Sequence, residues 1–146
     1  MSKLNNFLLI IFLIFFIFYN CSLVIGADSN IKLNTVLTSN GLDDSGLPVR
    51  LKKEFSLSKD QAVQYYTSWI QDDNAHQIVL KWIGPEGRLI NRLKLFNFKS
   101  NVVKSYINLQ KIVGEQLIVP QITGKYLIEL YIDGELLAIT EFKLRK

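Results

Sequence analysis

A chain of 146 residues, 49% of them hydrophobic, is long enough for one domain with a single core and too short for two. One histidine and one cysteine exclude the usual zinc centres, which take most of their ligands from those two residue types. The formal charge of +4 is scattered over Lys32, Lys52, Lys53, Arg92, Lys94 and Lys104 rather than gathered into the basic stripe of a nucleic-acid surface, so no nucleic-acid partner is expected.

Met1 to Asn6 carries a single cation, Lys3, and is followed by the unbroken apolar run Phe7 to Tyr19. That is the layout of a signal peptide. Val24-Ile25-Gly26 and Ile25-Gly26-Ala27 both place small residues at a cleavage point, which predicts residues 1–27 as the leader and residues 28–146 as one domain. Two alternatives stay open. Cys21 could be lipidated, since Phe18-Tyr19-Asn20-Cys21 resembles a bacterial lipoprotein box, or Phe7 to Ile25 could persist as an anchor of roughly 20 residues. Each predicts an exported chain, periplasmic, extracellular or membrane-anchored, touching a membrane only through its N-terminal segment or a lipid on Cys21. The domain itself then holds no cysteine, and its core must come from burial alone.

Ile31 to Leu37 predicts a first strand, with Ile31, Leu33, Thr35 and Leu37 as its apolar row. Thr38 to Pro48 reads as a loop; Asp43-Asp44 lacks the spaced oxygen ligands of a calcium site. Val49 to Leu57 predicts a strand with Val49, Leu51 and Phe55 or Leu57 inward and an irregularity at Lys52-Lys53. Residues 59–71 are ambiguous. Ser58 followed by Gln61 is a capping box, but Val63, Tyr65, Thr67 and Trp69 alternate and are strand formers, which favours a strand. His76 to Ile83 follows, with His76, Ile78, Leu80 and Trp82 on one face, and Gly84-Pro85-Glu86-Gly87 makes a turn.

Arg88 to Phe98 predicts a strand with Leu89, Leu93, Leu95 and either Phe96 or Phe98 inward, and a bulge. Val102 to Gln110 and Leu117 to Val119 come next. Gly124 to Leu144 reads as a β-hairpin about a primed turn at Asp133-Gly134. Its inward rows are Tyr126, Ile128, Leu130 and Ile132, and Leu136, Ala138, Thr140, Phe142 and Leu144. Around nine short strands without a convincing helix predict an all-β sandwich, with a closed barrel as the alternative.

The order of Phe55, then Trp82-Ile83-Gly84-Pro85-Glu86-Gly87, then the hairpin from Gly124 through Asp133-Gly134 to Phe142 resembles immunoglobulin-like β-sandwich modules of bacterial envelope and secreted proteins. The likeness covers most of residues 50–144. Its motifs are structural, so it implies an antiparallel immunoglobulin-like fold and leaves chemistry open. The residues themselves offer little for catalysis. No strained nucleophile elbow occurs, Ser68 and Ser105 fall within strands, and His76 starts one.

Asp72-Asp73 reads as a solvated pair in a turn. The chain is therefore expected to be a non-enzyme without cofactor or metal, a monomer, and a binding or assembly module for a protein or glycan partner. Alternation turns Tyr66, Ile70, Leu127 and Tyr131 outward as a candidate partner-binding face, because rigid aromatics give large contacts at low entropy cost. The rival reading is a carrier with a small apolar ligand inside a barrel or sandwich; an unrecognised hydrolase, in which His76 meets a carboxylate in a cleft, is the third.

Overall fold

The computed structural model describes residues 31–110 and 120–146. Within them the chain forms nine strands, β1 Leu33–Leu42, β2 Pro48–Leu51, β3 Glu54–Ser56, β4 Ala62–Trp69, β5 His76–Ile83, β6 Leu89–Phe98, β7 Val102–Asn108, β8 Gly124–Ile132 and β9 Glu135–Arg145. They make two sheets, in the orders β2-β1-β4-β7 and β3-β9-β8-β5-β6. Every neighbouring pair is antiparallel except β3 and β9. The architecture is the immunoglobulin-like β-sandwich, all-β as expected. The N-terminal segment with Cys21 and the strand expected at Leu117 to Val119 lie outside the described residues.

The core is a pile of aromatics between the sheets. Phe142 stacks on Tyr126 at 5.2 Å and meets Phe55 and Trp82 edge-on at 5.9 Å, while Trp82 meets Tyr65 of the opposite sheet at 6.4 Å. Such pairs add about 0.5–1.5 kcal/mol each beyond their buried area. The Trp82 indole Nε1 donates across the sandwich to Ser105 Oγ at 3.2 Å, which satisfies a donor that burial would otherwise strand. Tyr126 is buried too, and its hydroxyl donates to the Ile122 carbonyl at 2.6 Å. A tyrosine opening a strand and bonding back to the chain just upstream is the tyrosine corner of immunoglobulin sandwiches. Burial pushes the phenol of Tyr65 up to about 12.

The ambiguous residues 59–71 resolve as strand β4 after a tight turn. The polar cluster that mimics a helix cap instead closes that turn: the Asp60 carboxylate accepts the Ser56 N–H at 2.6 Å and both oxygens hold Lys52 Nζ at 2.7 Å. This clamp sits where the chain changes sheets. The irregularity at Lys52-Lys53 is therefore a crossing that splits the expected second strand into β2 and β3, which belong to different sheets. Phe55 enters the core as expected, but Val49 and Leu51 are exposed on β2, contrary to their expected inward phase.

The loop expected over residues 38–48 is shorter, because β1 runs on to Leu42. Asp43 Oδ1 accepts Ser45 Oγ at 2.6 Å and the Leu47 and Ser45 N–H groups at 2.8 and 3.0 Å, so this carboxylate shapes the loop.

Four further inward assignments are displaced, at three breaks in register. Between Leu33 and Thr35 the β1 ladder shifts, so Thr35 and Leu37, both expected inward, pair with the outward Ser68 and Tyr66, and Val36 between them packs on the core. A shift between Trp82 and Ile83 turns Leu89 outward and brings Ile90 in; one between Leu130 and Tyr131 exposes Leu136 and lets Leu137 pack. The reason is common to all: side chains alternate with period two, so one unpaired residue inverts the phase beyond it.

Candidate functional site

The four residues expected to share one face lie on two. Tyr66 points out of the four-stranded sheet beside Lys104, whose Nζ is 5.9 Å from its ring centroid, and exposed Ile70 follows at the end of β4. Leu127 and Tyr131 point out of the five-stranded sheet. The expected single face is corrected accordingly: the two sheets carry these pairs on opposite sides of the core.

Of the two, the five-stranded sheet has the more developed outer surface. Its cross-strand pairing generates three rows across β9, β8, β5 and β6. One contains Leu136, Tyr131, Val79 and Lys94; the next Ile139, Glu129, Lys81 and Arg92; the third Glu141, Leu127, Ile83 and Leu89. Apolar groups thus flank a charged middle row. Leu136, Ile139, Leu89 and, farther along β6, Phe96 are all exposed.

The Tyr131 ring is held in place. Lys81 Nζ lies 4.2 Å from its centroid, its hydroxyl donates to Glu129 Oε2 at 2.7 Å, and Lys81 and Glu129 stand 3.7 Å apart. A cation over a half-buried ring near the surface contributes only about 0.5–1 kcal/mol. The consequence here is positional: the ring is fixed in advance, so a partner would meet it already ordered. Ile139 was legible as an outward residue of the Phe142 strand, but an isolated outward isoleucine is an ordinary surface residue until its neighbours are known. Leu136 was hidden by the bulge.

His76 does meet carboxylates, two of them. Its Nδ1 lies 2.7 Å from Asp133 Oδ2 and its Nε2 2.9 Å from Asp72 Oδ1, while Asp133 Oδ1 accepts the Gln77 N–H at 2.8 Å. The ring is buried and packs edge-on against Trp69 at 6.3 Å. With both nitrogens engaged there is no free base to present to a substrate. The trio ties the β4–β5 turn to the β8–β9 turn, which makes it a staple.

The Asp133 bond, aided by that to Asp72, holds the imidazole above its ordinary value against the opposing effect of burial. Asp72 is held below the carboxylate range chiefly by His76; for Asp133 burial acts upward, but the Gln77 N–H and His76 outweigh it. The signs follow. The histidine contribution is complete below the ordinary value of 6.5 and is lost as pH rises through the raised folded value; the carboxylate contributions are complete above 3.8 and are lost as pH falls through the lowered ones. Thermal unfolding of the wild type and a His76→Asn variant should therefore differ most between pH 3.8 and 6.5, and the difference should shrink above that window. A difference that grows towards alkaline pH would mean the ring is bound neutral.

No family model matches the chain, and no curated protein matches it. Among solved structures the sandwich is similar to an immunoglobulin-like protein of Pseudomonas aeruginosa, with a TM-score of 0.54 and 11% identity over 82% of this chain and 100% of that one. A Pseudomonas fluorescens alkylpurine DNA glycosylase bound to DNA matches at a TM-score of 0.43 and 10% identity, over 83% of this chain and 32% of that one. A β-glucosidase of Listeria innocua matches at 0.33 and 15%, over 79% of this chain and 16% of that one. The first likeness agrees with the immunoglobulin-like fold.

Proposed function

We propose that this chain is an exported, non-catalytic immunoglobulin-like domain that serves as a binding or assembly module, engaging a protein or glycan partner through the outer face of its five-stranded sheet. The observation that carries this reading is the arrangement on that face, two mainly apolar rows around a mainly charged one with Tyr131 fixed by Lys81 and Glu129. A rigid aromatic beside exposed Leu136 and Ile139 is the kind of anchor that concentrates binding energy at interfaces. The interior supports the same role, since an apolar-ligand carrier needs a hollow of several hundred Å³ and the space between these sheets holds the Phe55, Tyr65, Trp82, Tyr126 and Phe142 rings. His76, with both nitrogens bonded to carboxylates, also favours a non-catalytic chain.

The test is quantitative capture from the native envelope fraction. Tyr131→Ser combined with Ile139→Ser should reduce the retained partner by about tenfold or more, the scale of losing an interface anchor. Tyr106→Ser, on the outer face of the other sheet, should leave retention unchanged. Equal retention by the wild type and the Tyr131/Ile139 variant would sink the assignment to this face.

A further inference from the structure

The crossing at Lys52-Lys53 leaves one sheet edge half covered. β8 flanks β9 from Gly124↔Leu144 to Ile132↔Glu135, but β3 reaches the other side of β9 only at Lys143, Leu144 and Arg145. Among the described residues no strand pairs with that side between Glu135 and Phe142. Lys143 shows which backbone groups are left open, because its N–H points away from β8 and donates to the Lys53 carbonyl at 2.8 Å. Alternate residues of a strand direct their N–H and C=O to the same side. Glu141 and Ile139 therefore present their backbone donors and acceptors to the open side, as Lys143 does.

That side borders a groove of about 930 Å³, walled by Val36, Leu37 and Thr38 of β1, by Leu51, and by the crossing residues Lys52, Lys53 and Glu54. Leu51, 67% exposed, supplies an apolar wall of the groove. The charges of the groove are unequal in their commitments. Glu54 is bound to Arg145, Glu141 to Lys125, and Lys52 to Asp60. Lys53 and Lys143 hold no carboxylate among the described residues. What remains is an unpaired strand edge with two uncommitted ammonium groups beside it.

We propose that this half-open edge receives an extended, acidic segment of a partner protein, which adds as a strand beside β9. Its backbone bonds to Ile139 and Glu141, its apolar side chains lie against Leu51 and Val36, and its carboxylates meet Lys53 and Lys143. Main-chain pairing supplies affinity in this mode of recognition, and side-chain pockets and charges supply selectivity. The edge adjoins the outer face assigned above at Ile139 and Glu141, whose side chains lie on that face and whose backbone groups lie on the edge. Protection confined to these two amides therefore reports the edge, and protection at Tyr131 and its neighbours reports the face. A second copy of the chain suits the edge less well, since it brings another pair of uncommitted cations.

Hydrogen exchange of the full chain in mild detergent, read residue by residue, tests this directly. The probe is a synthetic peptide alternating valine with threonine and glutamate, compared with the same peptide carrying lysine for glutamate. The amides of Ile139 and Glu141 should exchange rapidly in the free chain and slow by about tenfold or more with the glutamate peptide. Tyr131 and its neighbours should be unaffected. Lys53→Glu combined with Lys143→Glu should reverse the preference towards the lysine peptide; should that variant fail to fold, the two peptides on the wild type still decide. Protection equal for both peptides on the wild type overturns the proposal, as does no protection by the glutamate peptide. Slow exchange at both amides in the free chain also overturns it, because the edge is then already taken by the chain itself or a second copy.

Discussion

Trp82→Ala is expected to lower the free energy of unfolding by about 3–5 kcal/mol, the range for truncating a fully buried aromatic. Trp82 is the side chain through which the two sheets communicate: its ring meets Phe142 of its own sheet and Tyr65 of the other, and its Nε1 donates to Ser105 on β7. Truncation would open a void between the sheets and leave Ser105 without that donor. Trp82→Phe should cost less, because it keeps most of the apolar volume and forfeits the hydrogen bond. Equilibrium denaturation in urea gives both values. A loss of less than about 1 kcal/mol for the alanine variant would place Trp82 outside the core.

Gly134→Val is expected to cost about 1–3 kcal/mol, the strain of a non-glycine residue in a sparsely populated backbone region, with β-branching towards the upper end. Asp133 and Gly134 have φ of 53° and 89°, the two positive values of a type I′ hairpin turn. A Cβ on Gly134 would meet no atom within 4 Å, so the penalty is torsional and not a clash. The turn has little freedom to relax, since Asp133 is bonded through its carboxylate to His76 and Gln77 and through its N–H to the Gln77 carbonyl. Relief of strain would break the staple, and the loss should therefore appear in the global transition. Gly134→Asn should recover most of it, because asparagine tolerates the left-handed region. A denaturation midpoint for Gly134→Val equal to wild type would contradict this account of the turn.

How far such features can be read without coordinates depends on the distance over which they are determined. Within one uninterrupted run the period-two pattern was sufficient. His76, Ile78, Leu80 and Trp82, and Tyr126, Ile128, Leu130 and Ile132, are all buried as alternation requires. Asp133-Gly134 announced its turn through local torsional preference alone. Alternation failed where a single residue slips out of register, at Leu37, Leu89 and Leu136, since a bulge is a property of two paired strands and the partner is not visible from one of them.

The same limit applies to the candidate site. Outward phase identified Tyr66 and Tyr131 as outward-pointing residues of their strands, but which sheet each strand joins is decided by long-range pairing, and that separated them. The contact between His76 and Asp133 spans 57 residues, and no local signal marks it. Lys52-Lys53 was recognisable as irregular. That the chain changes sheets there, and so leaves half an edge open, follows only once β2 and β3 are seen against β1 and β9.

Site-specific photo-crosslinking in the native cell tests most directly whether the outer face of the five-stranded sheet is the working surface. A photoreactive phenylalanine analogue at Ile139, exposed beside the Tyr131 cluster, is compared with the same analogue at Tyr106, exposed on the opposite outer face. The account predicts a discrete adduct with one partner from position 139 and none from position 106. Adducts from position 106 alone, or equal labelling from both positions, would contradict it.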